Sequence, residues 1–300
     1  MAPSLRTLLS TLGLTSLLPH NQQPLSQQSQ PQPLAGPIVP YEPLSAAPSC
    51  PIDGPTSCHN SSSPANSCCF VYPSGRLLLT QFWDDTVHAG GSEEDWTVHG
   101  LWYVARPLRR ELQSLLRNDA HFNNITDILK HYAQDELLAL MDRYWVAAYG
   151  TNDHLWAHEY NKHASCINTL TTSCYGEKYD AGIEVVDYFT RAFSLFRQLD
   201  TFTALEKAGI VPSRERKYAL ADVTAALERL SGGRVVLRCS GRRHDVLHEA
   251  WYSYFLKGSL QTGQFVPASE LGEHGDANNC AREVRYLPKR CKGNCPNAEL

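Results

Sequence analysis

The 300-residue sequence has no Cys-x-x-Cys pair, no His-Glu-x-x-His motif, no uninterrupted apolar run of about 18 residues and no long basic stretch. Each absence removes a class of protein. Without cysteines paired at finger spacing, a structural zinc site is a poor reading of the cysteines. Without His-Glu-x-x-His, metal-dependent hydrolysis lacks its two imidazoles one helical turn apart. Without a long apolar run, no membrane-spanning helix and no membrane partner are expected. A net charge of -4 with no basic run excludes tight general binding to nucleic acid, but not an enzyme that must release a polyanionic product. Protonating all twelve histidines would turn -4 into +8, so an acidic compartment would favour a polyanionic substrate.

Hydrophobic residues make up 42% and charged residues 19%, enough apolar material for one sizeable core. The ten cysteines are Cys50, Cys58, Cys68, Cys69, Cys166, Cys174, Cys239, Cys280, Cys291 and Cys295. They read as disulfides and place the protein outside the cytosol. Residues 1–18 carry Arg6 ahead of Leu8, Leu9, Leu12, Leu14, Leu17 and Leu18, like a secretory signal, although Ser and Thr interrupt the run and no small-x-small cleavage site follows. Residues 19–49 are rich in Gln, Pro and Ser and cannot bury enough apolar surface to fold. The globular part is expected over 50–290, with a tail at 291–300. Asn60-Ser61-Ser62 and Asn124-Ile125-Thr126 are glycosylation sequons.

Strands are expected at Leu77–Trp83, Trp96–Trp102, Arg234–Cys239, Val246–Leu256 and Gly263–Pro267. Helical periodicity runs from Ile125 to Trp145, and again over Ile183–Leu199 and Ala221–Leu230, the last closed by Gly232-Gly233. Strands and helices mix without regular alternation, which indicates an α+β domain.

His158-Glu159-Tyr160-Asn161-Lys162-His163 concentrates ionisable groups. On a helix at about 100° per residue, His158, Lys162, Glu159 and His163 share one arc of about 140°. Cations there would hold an anion, and an imidazole would move a proton. The bland alternative is a solvated helix face. Zinc binding is disfavoured, because position i+4 from His158 is Lys162 and the two histidines diverge by about 140°. His99 lies in a second aromatic-flanked segment; taken alone, such a histidine is more often a core residue than a catalyst.

Trp96-Thr97-Val98-His99-Gly100-Leu101-Trp102 resembles the first active-site segment of the ribonuclease T2 family, and Trp156 to Cys166 resembles the second. The resemblance extends from the early cysteines to about Pro288, and the cluster Cys50, Cys58, Cys68-Cys69 resembles fungal members. It implies a single α+β domain, disulfide-stabilised, with a central antiparallel sheet and flanking helices. It implies an endoribonuclease that cuts single-stranded RNA to 2′,3′-cyclic phosphates and then 3′-phosphates, with no cofactor or metal and no obligate protein partner. His163 would be the general base, His99 the general acid, Glu159 and Lys162 would stabilise the phosphorane, and His158 would bind phosphate. Trp102 would stack on one base, and Gln81 and Leu155 would form a second base site. Pairing would join Cys50 to Cys69, Cys68 to Cys174 and Cys239 to Cys280. The compartment would be the exterior or the vacuolar lumen.

Tyr103 to Arg117 departs from the family, which there carries a glycine-rich loop with two cysteines. The abrupt loss and recovery has the form of a misplaced exon boundary or frameshift. It removes base-discriminating residues and the cysteines that would partner Cys58 and Cys166, and leaves the pairing of Cys58, Cys166, Cys291 and Cys295 open. A non-catalytic secreted binding protein on the same fold is therefore the alternative. A cysteine nucleophile at Cys166 is weaker, since the compartment favours disulfides.

Overall fold

The computed structural model describes residues 47, 50–57, 64–73, 75–85, 92–104, 121–269 and 277–290. The signal-like run, nearly all of the leader, Cys58, Asn60, residues 105–117 of the departing segment, Cys291, Cys295 and the tail lie outside the described residues.

Five strands form the main sheet: β1 (Arg76–Phe82), β2 (Thr97–Val104), β4 (Val235–Ser240), β5 (Val246–Lys257) and β6 (Gln264–Pro267). Their order is β2-β1-β5-β4, with β6 also on β5, and every pairing is antiparallel. The central strands are buried on both faces and so read as apolar runs. Leu77, Leu78, Leu79 and Thr80 of β1 are all buried, as the near-continuous sequence pattern requires. A two-stranded ribbon joins β3 (Tyr218–Ala219) to β7 (Glu283–Val284).

Six helices are described: α1 (Ile125–His131), α2 (Asp135–Tyr144), α3 (Asn152–His163), α4 (Ile183–Phe196), α5 (Thr201–Lys207) and α6 (Leu220–Ser231). Helices α2, α3 and α4 lie against β2, α4 also against β1, and α6 against β4. The single periodic stretch over Ile125–Trp145 is in fact two helices. Ala133 takes a left-handed conformation (φ 53°) between them, and Gln134 N donates back to Leu129 O, which turns the chain before α2. The same apolar period runs through both helices, so Ile128, Leu129, Leu137 and Met141 still enter one core. Helix α6 ends as expected, with Gly232 left-handed (φ 71°) and its N–H donating to Glu228 O.

Helix α4 is the axis of the interior. Its buried carboxylates are satisfied rather than solvated: Tyr175 Oη donates to Asp187, and Tyr179 Oη and Gly182 N donate to Glu184. The core continues through Trp83, Trp96, Trp145, Trp156, Tyr188 and Tyr252. Three disulfides close it, Cys50–Cys69, Cys68–Cys174 and Cys239–Cys280, the pairings implied by the family resemblance. Among the described residues no helix is long and apolar enough to cross a membrane.

Candidate active site

His99 owes its position to a break in strand register. Thr80 of β1 pairs with Gly100 and Gln81 with Val98, so His99 is the extra residue of a β-bulge in β2. A bulge re-aims a side chain that regular alternation would send elsewhere. The His99 carbonyl is held by Trp145 Nε1 at 2.9 Å, and the ring stacks on Phe82 at 4.0 Å between centroids. The next residue must be glycine. A Cβ on Gly100 would lie 2.1 Å from Glu159 Oε2 and 2.7 Å from Trp102 Nε1.

The second segment is helix α3. Thr151 caps it by accepting from His154 N at 3.2 Å, and Lys162 and His163 occupy its last turn, where the helix dipole favours cations. The helix lies against β2 with Glu159 on its buried side. Glu159 is 1% exposed, so the carboxyl lies in the interior rather than on a solvated helix face. Trp102 Nε1 donates to Glu159 Oε2 at 2.7 Å. Glu159 Oε1 lies 3.7 Å from His99 Nε2, and Oε2 lies 3.9 Å from His163 Nε2. One carboxyl thus stands between two imidazoles.

Trp102 is wedged into the same group. Its ring stacks on His163 at 5.2 Å and meets His99 edge-on at 4.7 Å. It therefore shares a ring face with a histidine rather than standing clear as a platform. Gln81 is not brought to the cleft. Alternation along β1 turns it away from Phe82 into the interior, where Nε2 donates to Leu199 O at 3.0 Å and Oε1 accepts from Thr201 Oγ1 at 2.6 Å. Leu155 lies one turn before Glu159 on α3, half-buried against the core. His158 and Lys162 are exposed, and Asn124 is exposed at the start of α1. Among the described residues, no group of three or more His, Cys, Asp or Glu is placed to hold a metal ion.

Several neighbours of His99 are invisible to local sequence reading. Residue 249 pairs with residue 82 across β1–β5, which carries Glu249 and Trp251 to the site. Trp251 meets Trp102 edge-on at 5.3 Å, and Trp251 Nε1 donates to Glu249 Oε2 at 2.5 Å. A second bulge, between Arg238 and Cys239 of β4, leaves His248 as the extra residue on β5, and its ring lies 5.5 Å from Phe82. Two adjacent ionisable residues inside an otherwise apolar strand were the available signal.

Burial dominates the electrostatics. It pushes His99 and His163 down to about 3, helped by Lys162, with further positive contributions from neighbouring histidines. It pushes Glu159 up to about 7, opposed by the Trp102 hydrogen bond and by Lys162. His158 is also lowered, by burial first and Lys162 second. Near pH 5 the proton therefore rests on Glu159, with His99 and His163 neutral. Such a group can accept a proton at one imidazole, return one at the other, and meet an anion with a neutral carboxylic acid and an ammonium.

The family model for the ribonuclease T2 family matches residues 74–279. The chain is 40% identical over 247 residues to ribonuclease Trv of Hypocrea rufa, covering 82% of this chain and 100% of that protein. It is 38% identical over 252 residues to ribonuclease T2 of Aspergillus oryzae, covering 84% of this chain and 88% of that protein. The crystal structure of Actibind, a T2 ribonuclease, superposes with a TM-score of 0.68 at 35% identity, covering 81% of this chain and 98% of that one.

Proposed function

The chain belongs to the ribonuclease T2 family and is an endoribonuclease, and from that premise we propose that it cuts single-stranded RNA with His163 as general base and His99 as general acid. His163 takes the proton of the ribose 2′-OH, the oxygen attacks the adjacent phosphorus, and His99 protonates the departing 5′-oxygen. The first product is a 2′,3′-cyclic phosphate. Water then opens it to a 3′-phosphate by the same two groups in exchanged roles. The nucleophile belongs to the substrate, so DNA, which lacks it, does not react.

The observation that carries this reading is the single buried carboxyl between two imidazoles at 3.7 and 3.9 Å. With its pKa raised to about 7, Glu159 is a neutral acid below that pH and can donate to a phosphorane oxygen instead of repelling it. Lys162 adds positive charge at the mouth, and His158 a further donor for phosphate. An arriving phosphate favours the protonated imidazole and so opposes the burial that lowers His99. Trp102 contributes to base binding through whatever ring edge and face the histidines leave uncovered. Nothing favours the non-catalytic alternative.

Three disulfides within the described residues support placement outside the cytosol, in the secreted or vacuolar space. The decisive experiment incubates purified protein with single-stranded RNA and with DNA at pH 5 in the presence of EDTA. RNA is cleaved to cyclic phosphates and DNA is untouched. Activity abolished by EDTA and restored by zinc would sink the two-histidine mechanism.

A further inference from the structure

His154, His158 and Lys162 recur every four residues along α3 and form one stripe on its surface. Beside that stripe lies a pocket of about 380 Å³. Its opposite wall is the segment 121–123, which a reciprocal amide contact holds against the helix. Phe122 N donates to Asn161 Oδ1 at 2.9 Å, and Asn161 Nδ2 donates to Phe122 O at 2.8 Å. His121 and Asn123 thereby line the pocket together with His154, His158 and Lys162.

Three imidazoles, one ammonium and amide groups line this space, and among the described residues no carboxylate does. Asp153, next to His154 in sequence, is occupied elsewhere: its Oδ1 accepts from Thr126 N at 2.8 Å and Thr126 Oγ1 at 2.7 Å. Donors and positive charge without a competing anion suit a ligand with several acceptor oxygens. The stripe from His154 to Lys162 spans about 12 Å of helix, more than one phosphate needs. Lys162 belongs at once to this pocket and to the proposed catalytic group, so a strand held at one continues naturally into the other.

We propose that this pocket is a second phosphate subsite, which holds the RNA phosphate next to the scissile one and makes the enzyme favour strands over dinucleotides. The inference rests on the reading of the neighbouring cleft as the catalytic centre. Uncleavable 2′-deoxy oligomers separate the two. Wild type and H121A/H154A, whose altered residues lie outside the catalytic group, are titrated at pH 5 with a deoxy trinucleotide. They are then titrated with trinucleotides carrying a neutral methylphosphonate at either linkage in turn. Wild type is expected to lose about tenfold in affinity when the phosphate at the subsite is neutralised, about 1.4 kcal/mol. H121A/H154A loses that discrimination, and both proteins cleave a ribodinucleotide at the same rate. Wild-type binding indifferent to the methylphosphonate, or a discrimination undiminished in H121A/H154A, overturns the subsite. Failure of the catalytic reading shows separately, as a wild type that leaves the ribodinucleotide intact.

A different observation carries a second inference. His99 Nδ1 is buried without a hydrogen-bond partner and lies 4.0 Å from Glu249 Oε1. Glu249 is itself fixed, accepting from Trp251 Nε1 and standing opposite Arg238, whose guanidinium lies 5.1 Å over the Trp251 ring. The geometry points to Glu249 as a positioning residue that keeps the proton of neutral His99 on Nδ1 and turns Nε2 toward Glu159 and the reacting phosphate. His99 also faces Glu159, Lys162, His163 and His158 from α3 and His248 from β5. E249Q removes the charge and keeps the shape. We expect kcat to fall roughly tenfold or more with KM nearly unchanged. The alkaline limb of the pH–rate profile should move to lower pH, because a nearby anion no longer favours imidazolium, and E249D should restore it. Unchanged kcat and an unmoved alkaline limb in folded E249Q would overturn the assignment.

Discussion

At Gly100 one hydrogen atom separates a working site from a blocked one. Gly100→Ala would drive a methyl group into Glu159 and Trp102, so activity is expected to drop at least ~100-fold and stability by about 1–3 kcal/mol. Paired measurements of kcat/KM and thermal unfolding test both parts, and normal activity would mean that Glu159 is free to move aside. Lys162 is a different case, because it is exposed and bears little on folding. Lys162→Ala is expected to lower kcat by roughly 10²–10³ with an unchanged melting temperature. The rate should follow a bell in pH, since His163 must be neutral and His99 protonated. Both imidazoles are pushed down from 6.5, so the optimum lies on the acid side of that value, roughly pH 4 to 6. A rate still climbing at pH 9 would contradict the pairing of roles.

Among the elements, the strands and the long helices were legible in the sequence because their patterns are local. The Leu77–Trp83 and Trp96–Trp102 runs became β1 and β2, and Ile183–Leu199 became α4, within a few residues at each end. The break between α1 and α2 was hidden because it falls on Ala133, which signals nothing in sequence, while the apolar period continues through it. Ala133→Gly should remove the cost of a left-handed Cβ and raise stability by up to about 1 kcal/mol, readable as a higher denaturant midpoint. A lower midpoint would show that the turn relies on the alanine methyl. His99, Glu159 and His163 could be grouped because their segments carry strong motifs. Gln81 was misplaced because one position along a strand reverses the face. Glu249 and Trp251 were missed because only the β1–β5 register brings them near His99, and that register is not written in either strand alone.

For the molecule as a whole, the buried trio ties stability to pH. His99 and His163 have folded values near 3 against 6.5, so their contribution is complete above 6.5 and is lost as pH falls toward 3. Glu159 has a folded value near 7 against 4.5, so its contribution is complete below 4.5 and is lost as pH rises through 7. Two groups oppose one. Between about pH 6.5 and 4.5 the unfolded chain binds about one proton more than the folded chain, so acidification destabilises by about 1.4 kcal/mol per pH unit; between about 4.5 and 3, where Glu159 is protonated in both states, the difference is about two protons and the slope doubles. Replacing one imidazole, as in His163→Gln, is expected to raise the melting temperature at pH 4.5 relative to pH 7.5. An equal effect at both pH values would show that the buried imidazoles carry no such linkage.

The adjacent cysteines 68 and 69 join two different bridges, one back to Cys50 and one forward to Cys174. A peptide bond cut anywhere between Cys50 and Cys174 therefore severs the chain without parting the pieces, and the same holds between Cys239 and Cys280. In a protease-rich lumen such a molecule can be nicked and still migrate as one species until its disulfides are reduced. Limited proteolysis followed by non-reducing and reducing electrophoresis should therefore show one band resolving into several, with ribonuclease activity surviving the cut.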